Sequence, residues 1–217
     1  MRGMILAAGR GERMGHLTVT TPKPLLRVNN RYLIEYSIDA LIKADIRDIV
    51  INLHYGKEQM QAALGDGSRY GARFYYSVEE ERLETGGGIF HALPLLGDQP
   101  FIVLSADVIS DYPLEKIIRE PVGFAHLVLV SNPLFHPQGD FCLEESRVMR
   151  GATNPLTFAN ISVLRPELFV GCTSGHFRLG TLLCQAIADQ QVTGEWFQGE
   201  WYNIGTAEQL MKLNKGE

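Results

Sequence analysis

The chain has 217 residues, 45% hydrophobic and 21% charged, which is enough to bury the core of one ordinary globular domain. Its net charge of −5 and pI near 5.7 exclude the strongly basic composition by which proteins bind nucleic-acid backbones. No run approaches the roughly 18 apolar residues of a membrane span, so we expect no membrane partner.

The cysteines and the N-terminal sequence both favour a cytoplasmic protein. Cys142, Cys172 and Cys184 are odd in number and show no Cys-x-x-Cys spacing, which suits a reducing compartment. Met1 leads directly into a strand-like segment and lacks the apolar stretch of a signal peptide.

Short apolar runs alternate with helix-length amphipathic segments over the first 130 residues. This alternation is typical of a doubly wound α/β fold, in which helices connect the strands of a mostly parallel sheet. The predicted strands are Gly3–Ala7, Asp48–Leu53, Arg73–Ser77, Phe101–Ser105 and Ala125–Val130. The predicted helices are Leu33–Ala44, Lys57–Leu64, Gly87–Leu93 and Leu114–Arg119.

The pattern changes after about residue 131, where proline-containing turns separate shorter strand candidates. Asp140–Glu144 and Leu156–Leu164 are the clearest of these candidates. They predict a small β-rich insertion that could cover a ligand.

The last part of the chain is predicted to return to the sheet. Two helices, Thr181–Asp189 and Thr206–Lys215, bracket the returning segment Val192–Ile204. No linker, repeat or low-complexity tract divides the sequence. We therefore expect a single domain over residues 1–217.

A glycine-rich loop follows the first predicted strand, with the sequence Leu-Ala-Ala-Gly-Arg-Gly-Glu-Arg-Met from Leu6. The small residues Ala8, Gly9 and Gly11 allow backbone N–H groups to approach a polyphosphate closely. Arg13 can donate to phosphate oxygens through its guanidinium group. The loop predicts a binding site for a nucleoside polyphosphate.

The segment Thr21-Pro22-Lys23-Pro24 follows this loop. Its two prolines restrict the backbone and can fix the Lys23 ammonium near the same phosphates. A dinucleotide-binding loop or a simple tight turn would also begin with Gly-x-Gly. However, Met14 replaces the third glycine of the dinucleotide fingerprint and a Gly-Lys-Ser/Thr motif is absent, which disfavours a nicotinamide-dependent oxidoreductase.

Asp107 is the candidate metal ligand. It follows the apolar strand Phe101–Ser105, at the carboxyl end of the sheet, where open α/β folds bind ligands. Mg²⁺ takes one or two carboxylates together with phosphate oxygens and water. The alternative is a turn or helix-capping aspartate, for which Asp111 is better placed.

These motifs resemble the sugar-1-phosphate nucleotidylyltransferase family, whose signature is a Gly-x-Gly-x-Arg-Met loop followed by Pro-Lys-Pro. The resemblance continues in order through Gly65–Gly71, Glu84–Gly88, Asp107 and Trp201–Thr206. It implies a Rossmann-like nucleotidyltransferase fold. It also implies transfer of a nucleoside monophosphate from a nucleoside triphosphate to a sugar 1-phosphate, with release of pyrophosphate.

Several stretches are most similar to one branch of this family, the uridylyltransferases that act on N-acetylmuramate 1-phosphate in bacterial cell-wall recycling. The stretches are Leu83–Phe90, His126–Val130 followed by Asn132-Pro133, Gly139–Phe141 and Leu156–Phe158. This similarity implies two small-molecule substrates, UTP and N-acetylmuramate 1-phosphate. The mannose-1-phosphate guanylyltransferases share many of the family's motifs and are the alternative assignment.

The resemblance also implies roles for individual residues. The nucleotide would lie in about residues 1–130, with Gly87 packing against the base and with Asn52 and Glu84 near the base or ribose. The sugar would lie in about residues 131–217. Its expected contacts are Asp140, Thr157 and Asn160, while Arg178 would either hold the sugar phosphate or be a surface or capping charge.

In the family, the segment Trp-x-Asp-x-Gly-Thr supplies a second aspartate to Mg²⁺. This chain departs from that pattern, because Asn203 stands in place of the aspartate. An amide oxygen can coordinate the cation but lacks the charge of a carboxylate. This leaves open a regulatory protein that binds sugar nucleotides without catalysis. For an enzyme, we expect direct in-line displacement in which Arg13, Lys23 and Mg²⁺ on Asp107 and Asn203 supply positive charge.

Overall fold

The computed structural model describes residues 1–118, 123–151 and 153–215. Its strands are β1 (Gly3–Leu6), β2 (Arg27–Val28), β3 (Arg31–Tyr32), β4 (Asp48–Leu53), β5 (Arg73–Val78), β6 (Phe101–Ser105), β7 (Val108–Ser110), β8 (Ala125–Val130), β9 (Cys142–Glu144), β10 (Arg147–Met149), β11 (Thr157–Leu164), β12 (Val192–Phe197) and β13 (Trp201–Asn203). Its helices are α1 (Leu33–Lys43), α2 (Lys57–Leu64), α3 (Glu84–Leu96), α4 (Glu115–Ile118), α5 (Leu179–Ala188) and α6 (Ala207–Lys215).

Nine of these strands form one sheet in the order β5-β4-β1-β6-β11-β8-β12-β10-β9. The strands from β5 to β6 are parallel, and β8 and β12 are also parallel to each other. β11 runs antiparallel to both of its neighbours, and β10 runs antiparallel to β12 and β9. The predicted mostly parallel α/β sheet is therefore confirmed.

Helices pack on both faces of the sheet because its central strands are apolar on both sides. One core contains Ile5, Ile49 and Ile51 of the sheet together with residues of α1, α2 and α4. The other contains Met4 and Val50 together with residues of α3 and α5. Consecutive residues of β1 and β4 thus point into different cores, as expected for a doubly wound fold.

The β-rich stretch after residue 131 is part of the main sheet. β11 lies between β6 and β8, and the β9–β10 hairpin extends the same sheet at its edge. The hydrogen bonds between β11 and β6 join the two halves of the chain directly. The two halves share one sheet, and the later residues therefore reach the carboxyl ends of the early strands.

Two predicted elements differ from the structure. The segment Val192–Ile204 returns to the sheet only as β12, because the chain reverses at Gly199 and β13 pairs with β7 in a separate two-stranded sheet. A Cβ at Gly199 would lie 2.2 Å from the Phe197 ring, so a larger residue at this reversal would require the ring to move. The predicted helix Leu114–Arg119 is found as α4, and Arg119 lies outside the described residues.

Candidate active site

Two adjoining cavities open at the carboxyl ends of the parallel strands. The first, of about 420 Å³, is lined by Leu6–Arg13, Lys23, Asn52, Glu79, Glu84 and Asp107, among others. The second, of about 410 Å³, is lined by Asp140, Thr157, Asn203 and several apolar residues on the α3 and α5 side of the sheet. Leu6, Arg13, Thr85 and Asn160 line both cavities.

The glycine loop runs along the first cavity. Gly11 has a φ of 70°, and a Cβ there would lie 2.8 Å from Cβ of Lys23. A side chain at this position would be strained and would displace Lys23. Gly9 differs, because a Cβ added there would meet no atom within 4 Å. Gly11 is therefore needed for the shape of the loop, whereas Gly9 leaves the cavity open.

Lys23 and Asp107 form an ion pair at the base of the first cavity. Lys23 is 8% exposed, and Ser105 Oγ donates to the Asp107 carboxylate at 2.6 Å. The sequence patterns predicted that both residues face the phosphates but did not predict this contact. The ion pair fixes the Lys23 ammonium beside the carboxylate that we expect to hold a metal.

Asn203 lies beside Asp107 because β13 pairs with β7. Asn203 is the register partner of Val108, and Ile204 N donates to Asp107 O at 2.9 Å. Asn203 Oδ1 is buried and has no hydrogen-bond partner among the described residues. A buried, unpartnered amide oxygen on the strand paired beside Asp107 is an oxygen donor of the kind that Mg²⁺ takes. In the part of the chain that the structure describes, no cluster of three or more His, Cys, Asp or Glu residues could hold a metal.

Arg13 is exposed and stands at the boundary of the two cavities. A Cβ at Gly205 would lie 3.3 Å from both terminal nitrogens of its guanidinium group. The glycine after Ile204 therefore leaves room for the guanidinium between the cavities. From this position Arg13 can reach anionic groups bound on either side.

Asn52 reaches the first cavity, but its side-chain amide is engaged within the protein. Its Oδ1 accepts from Ala7 N at 2.8 Å, and its Nδ2 donates to Glu79 Oε1 at 2.7 Å. Glu79 is 2% exposed and also accepts from Leu83 N at 3.2 Å. This network ties β4 to the segments that follow β1 and β5. Sequence reasoning missed Glu79, because the run Glu79-Glu80-Glu81 is typical of a solvated loop.

The three consecutive glycines at the start of α3 pack against the protein itself. A Cβ at Gly87 would lie 2.2 Å from Gly175 O, and one at Gly88 would lie 2.6 Å from Glu79 Oε1. Gly86 N and Gly87 N both donate to Phe177 O at 3.0 Å. The structure does not bring Gly87 to the wall of either cavity.

Glu84 lines the first cavity and is surrounded by basic side chains. Its carboxylate lies 3.1 Å from Arg82, 3.6 Å from His176 and 3.9 Å from Arg178. The Arg178 side chain is 78% exposed and does not line either cavity, although the next residues, Leu179 and Gly180, line the second. The helices α3 and α5 both begin here, and Leu179 N donates to Thr85 Oγ1 at 3.0 Å, so the N-termini of the two helices are tied to each other.

The structure brings the three predicted sugar contacts together in the second cavity. Asp140 already accepts from Phe158 N at 2.8 Å and lies 3.1 Å from His136 Nε2. Thr157 donates to Asn132 Oδ1 at 2.8 Å. Asn160 has a φ of 57°, and the pairing of β11 with β8 shifts register between Phe158 and Ser162. This irregularity lets Asn160 line both cavities.

The motif Gly65–Gly71 lies away from both cavities and forms a turn before β5. Asp66 accepts from Ser68 N at 2.9 Å, and hydrogen bonding from Ser68 lowers the pKa of Asp66. Burial raises the pKa of Tyr70 to about 12, and its hydroxyl donates to Glu35 at 2.8 Å. This motif anchors the turn to α1.

Comparison with known proteins identifies the family. The sequence profile described as nucleotidyl transferase matches residues 2–129. The chain belongs to this family. It is 43% identical, over 95% of its length and 94% of the relative's, to the N-acetylmuramate alpha-1-phosphate uridylyltransferase of Neisseria meningitidis serogroup B. A mannose-1-phosphate guanyltransferase of Aspergillus fumigatus is 40% identical over 94% of this chain, which spans 61% of that protein.

Solved structures share the fold at low sequence identity. A putative glucose-1-phosphate thymidylyltransferase from Bacillus anthracis has a TM-score of 0.88 at 20% identity, covering 99% of this chain and 94% of that chain. A UDP-glucose pyrophosphorylase has a TM-score of 0.80 at 19% identity, covering 100% of this chain and 98% of that chain. The expected nucleotidyltransferase fold is thereby confirmed.

Proposed function

We propose that the protein transfers uridine monophosphate from UTP to N-acetylmuramate 1-phosphate and releases pyrophosphate. The observation that carries this proposal is the pair of cavities that meet at Arg13, one beside the glycine loop and one on the sheet face. Two adjoining sites with a shared cation suit a reaction between two phosphorylated substrates. The choice of substrates rests on the Neisseria meningitidis relative, which matches nearly the whole chain.

The triphosphate would lie along the glycine loop, where Ala8, Gly9 and Gly11 expose backbone N–H groups. The sugar 1-phosphate would enter the second cavity, with its phosphate near Arg13 at the boundary with the first. That phosphate is largely dianionic at neutral pH and is already a nucleophile, so no general base is required. Its attack on the α-phosphorus would displace pyrophosphate directly.

Arg13 and Lys23 would lower the barrier by offsetting the repulsion between the two anions. Lys23 is held by Asp107, so its ammonium is oriented before substrate binds. Oriented charges of this kind stabilise the charge that develops during transfer without reorganising. Arg13, at the boundary, would contact the attacking phosphate.

Asp107 and Asn203 would hold Mg²⁺. The unpartnered Oδ1 of Asn203 beside Asp107 supports this assignment. When bound, the cation would neutralise triphosphate oxygens. Asn203 supplies no charge, so the nucleotide phosphates would complete the site.

We further propose a cytoplasmic role in the recycling of peptidoglycan sugars. UTP is an intracellular substrate, and the three cysteines are unpaired, as expected in a reducing compartment. No helix within the described residues is long and apolar enough to cross a membrane.

The test measures pyrophosphate release with Mg²⁺ for each combination of UTP or GTP with N-acetylmuramate 1-phosphate or mannose 1-phosphate. UTP with N-acetylmuramate 1-phosphate should be fastest. Turnover about tenfold faster with GTP and mannose 1-phosphate would mean that these are the substrates, while the class of reaction would stay as proposed. Absence of pyrophosphate in every combination, with nucleotide bound, would indicate a regulatory protein.

A further inference from the structure

Ser162 in the wall of the second cavity carries a hydroxyl that the protein leaves unused. The residue is 1% exposed, and its Oγ has no hydrogen-bond partner among the described residues. Its register partners on the two neighbouring strands are Val103 and Leu127, both buried and apolar. The sheet therefore offers this hydroxyl no side-chain partner.

A buried hydroxyl without a partner costs about 1–3 kcal/mol of stability, and such groups are uncommon in folded proteins. The strand is also irregular immediately before it, with a register shift between Phe158 and Ser162 and with Asn160 at a φ of 57°. Bulges next to binding sites re-aim side chains. Both observations point to a ligand group as the missing partner.

The surroundings limit the chemistry of that group. The cavity wall around Ser162 includes the apolar side chains Val103, Phe141 and Leu183. An ionised group placed among them would lose its hydration without a compensating charge. A neutral acyl group suits the site, because its methyl group can pack on apolar atoms while its carbonyl oxygen accepts one hydrogen bond.

Other polar groups of this wall are already committed. Asp140 accepts from Phe158 N, and Thr157 donates to Asn132. The amides of Asn160 and Asn203 also line this cavity, and Asn160 lies where it adjoins the first cavity. Ser162 is therefore the neutral hydroxyl donor available beside the apolar side chains of the wall.

We propose that the Ser162 hydroxyl donates to the carbonyl oxygen of an N-acyl group on the sugar 1-phosphate and thereby selects N-acylated sugars. This inference rests on the proposed function and names the substituent that the second cavity recognises. It assigns Ser162 to substrate specificity and gives it no part in phosphate transfer.

The test compares binding of two ligands by calorimetry. One is N-acetylmuramate 1-phosphate, and the other is the same compound with a hydroxyl in place of its acetamido group. The parent should bind the acetamido ligand more tightly. Ser162→Ala should weaken acetamido binding about tenfold and change binding of the hydroxyl analogue less than about twofold.

Ser77→Ala is the matched control, because Ser77 is also a buried serine but its Oγ has a partner, His91 Nδ1 at 3.1 Å. Ser77→Ala should lower the melting temperature and keep the parent's ligand preference. Ser162→Ala should not lower the melting temperature, because no hydrogen bond is lost. A lower melting temperature with unchanged preference would mean that Ser162 is only structural.

The two hypotheses fail differently. An unchanged preference in Ser162→Ala overturns the role of Ser162 and leaves the proposed substrates standing, whereas a parent that binds neither ligand contradicts both. A parent that releases pyrophosphate faster from GTP with mannose 1-phosphate overturns the proposed substrates, whatever Ser162→Ala does in the binding experiment.

Discussion

The two cavities share Arg13 and Asn160 but are built in different ways. The first is formed mainly by loops that follow parallel strands, and an ion pair between Lys23 and Asp107 lies at its base. The second lies on a face of the sheet and combines polar groups with buried apolar side chains such as Phe141. The comparison suggests a division in which the first cavity supplies charge for transfer and the second selects the sugar.

The largest expected effect tests whether transfer depends on the cations of the first cavity. Arg13→Ala and Lys23→Ala should each lower kcat by about 10²–10³, because each removes an oriented charge that is needed most in the transition state. Binding of the sugar 1-phosphate should weaken much less. Steady-state kinetics and calorimetry on the same preparations measure both quantities.

Arg27→Ala provides the control for loss of an arginine. Arg27 is exposed and stacks on Tyr32, with its guanidinium carbon 4.5 Å from the ring centroid, outside both cavities. Its variant should keep the parent's kcat. Near-normal turnover in both Arg13→Ala and Lys23→Ala would remove these residues from the catalytic set.

A matched pair of glycine variants separates the shape of the loop from its contact with phosphate. Gly11→Ala should lower the free energy of unfolding by about 1–2 kcal/mol, because the new side chain would sit at positive φ against Lys23. Gly9→Ala should leave stability unchanged and weaken UTP binding about tenfold, since its methyl group would project into open space. Denaturant melts and UTP titrations measure the two effects.

Sugar 1-phosphate binding should be unchanged in Gly9→Ala, because the second cavity is not altered. If Gly9→Ala binds UTP like the parent, the loop does not contact the phosphates, and the first cavity loses its assigned ligand.

Asn203→Asp tests whether Asn203 helps Asp107 to hold Mg²⁺. The added carboxylate should lower the half-saturating Mg²⁺ concentration several-fold, since a charge beside the cation is worth on the order of 1 kcal/mol in a partly shielded site. Turnover at limiting Mg²⁺ should rise, and turnover at saturating Mg²⁺ should change little. Pyrophosphate release across a metal titration is the measurement.

Titration curves that superimpose for the parent and Asn203→Asp would mean that Asn203 does not contact the metal. Activity found only in Asn203→Asp, at every Mg²⁺ concentration, would favour the regulatory protein over the enzyme.

Arg178→Ala should have the smallest effect. The Arg178 side chain is 78% exposed, and its nearest carboxylate is 3.9 Å away in Glu84. Exposed ion pairs contribute less than about 1 kcal/mol, so the KM for sugar 1-phosphate should rise at most about fivefold. A tenfold or greater rise would make Arg178 a main contact of the sugar phosphate and extend the second cavity to this surface.

The sequence predicted more of the first cavity than of the second. The carboxyl ends of parallel strands meet at one edge, so the loop after β1 and Asp107 after β6 could be placed together from strand positions alone. The partners of Asn52 and Gly87 could not be predicted, because Glu79 and Gly175 approach them through tertiary packing.

The β-rich half was harder to predict for a similar reason. β11 inserts between β6 and β8 although it follows both in sequence, and nothing in its pattern specifies that position. The pairing of β13 with β7, which brings Asn203 beside Asp107, likewise depends on the reversal at Gly199. Pairing between strands that are distant in sequence therefore positions the parts of the site that the motifs did not predict.

Hydrogen–deuterium exchange with each substrate alone tests the division between the cavities most directly. UTP with Mg²⁺ should protect peptides that contain residues 6–13 and 79–85. N-acetylmuramate 1-phosphate should protect peptides from residues 135–141, 156–162 and 179–183, together with the peptide that contains Arg13. Protection of only the first set by both substrates, with no change in the second, would contradict the account.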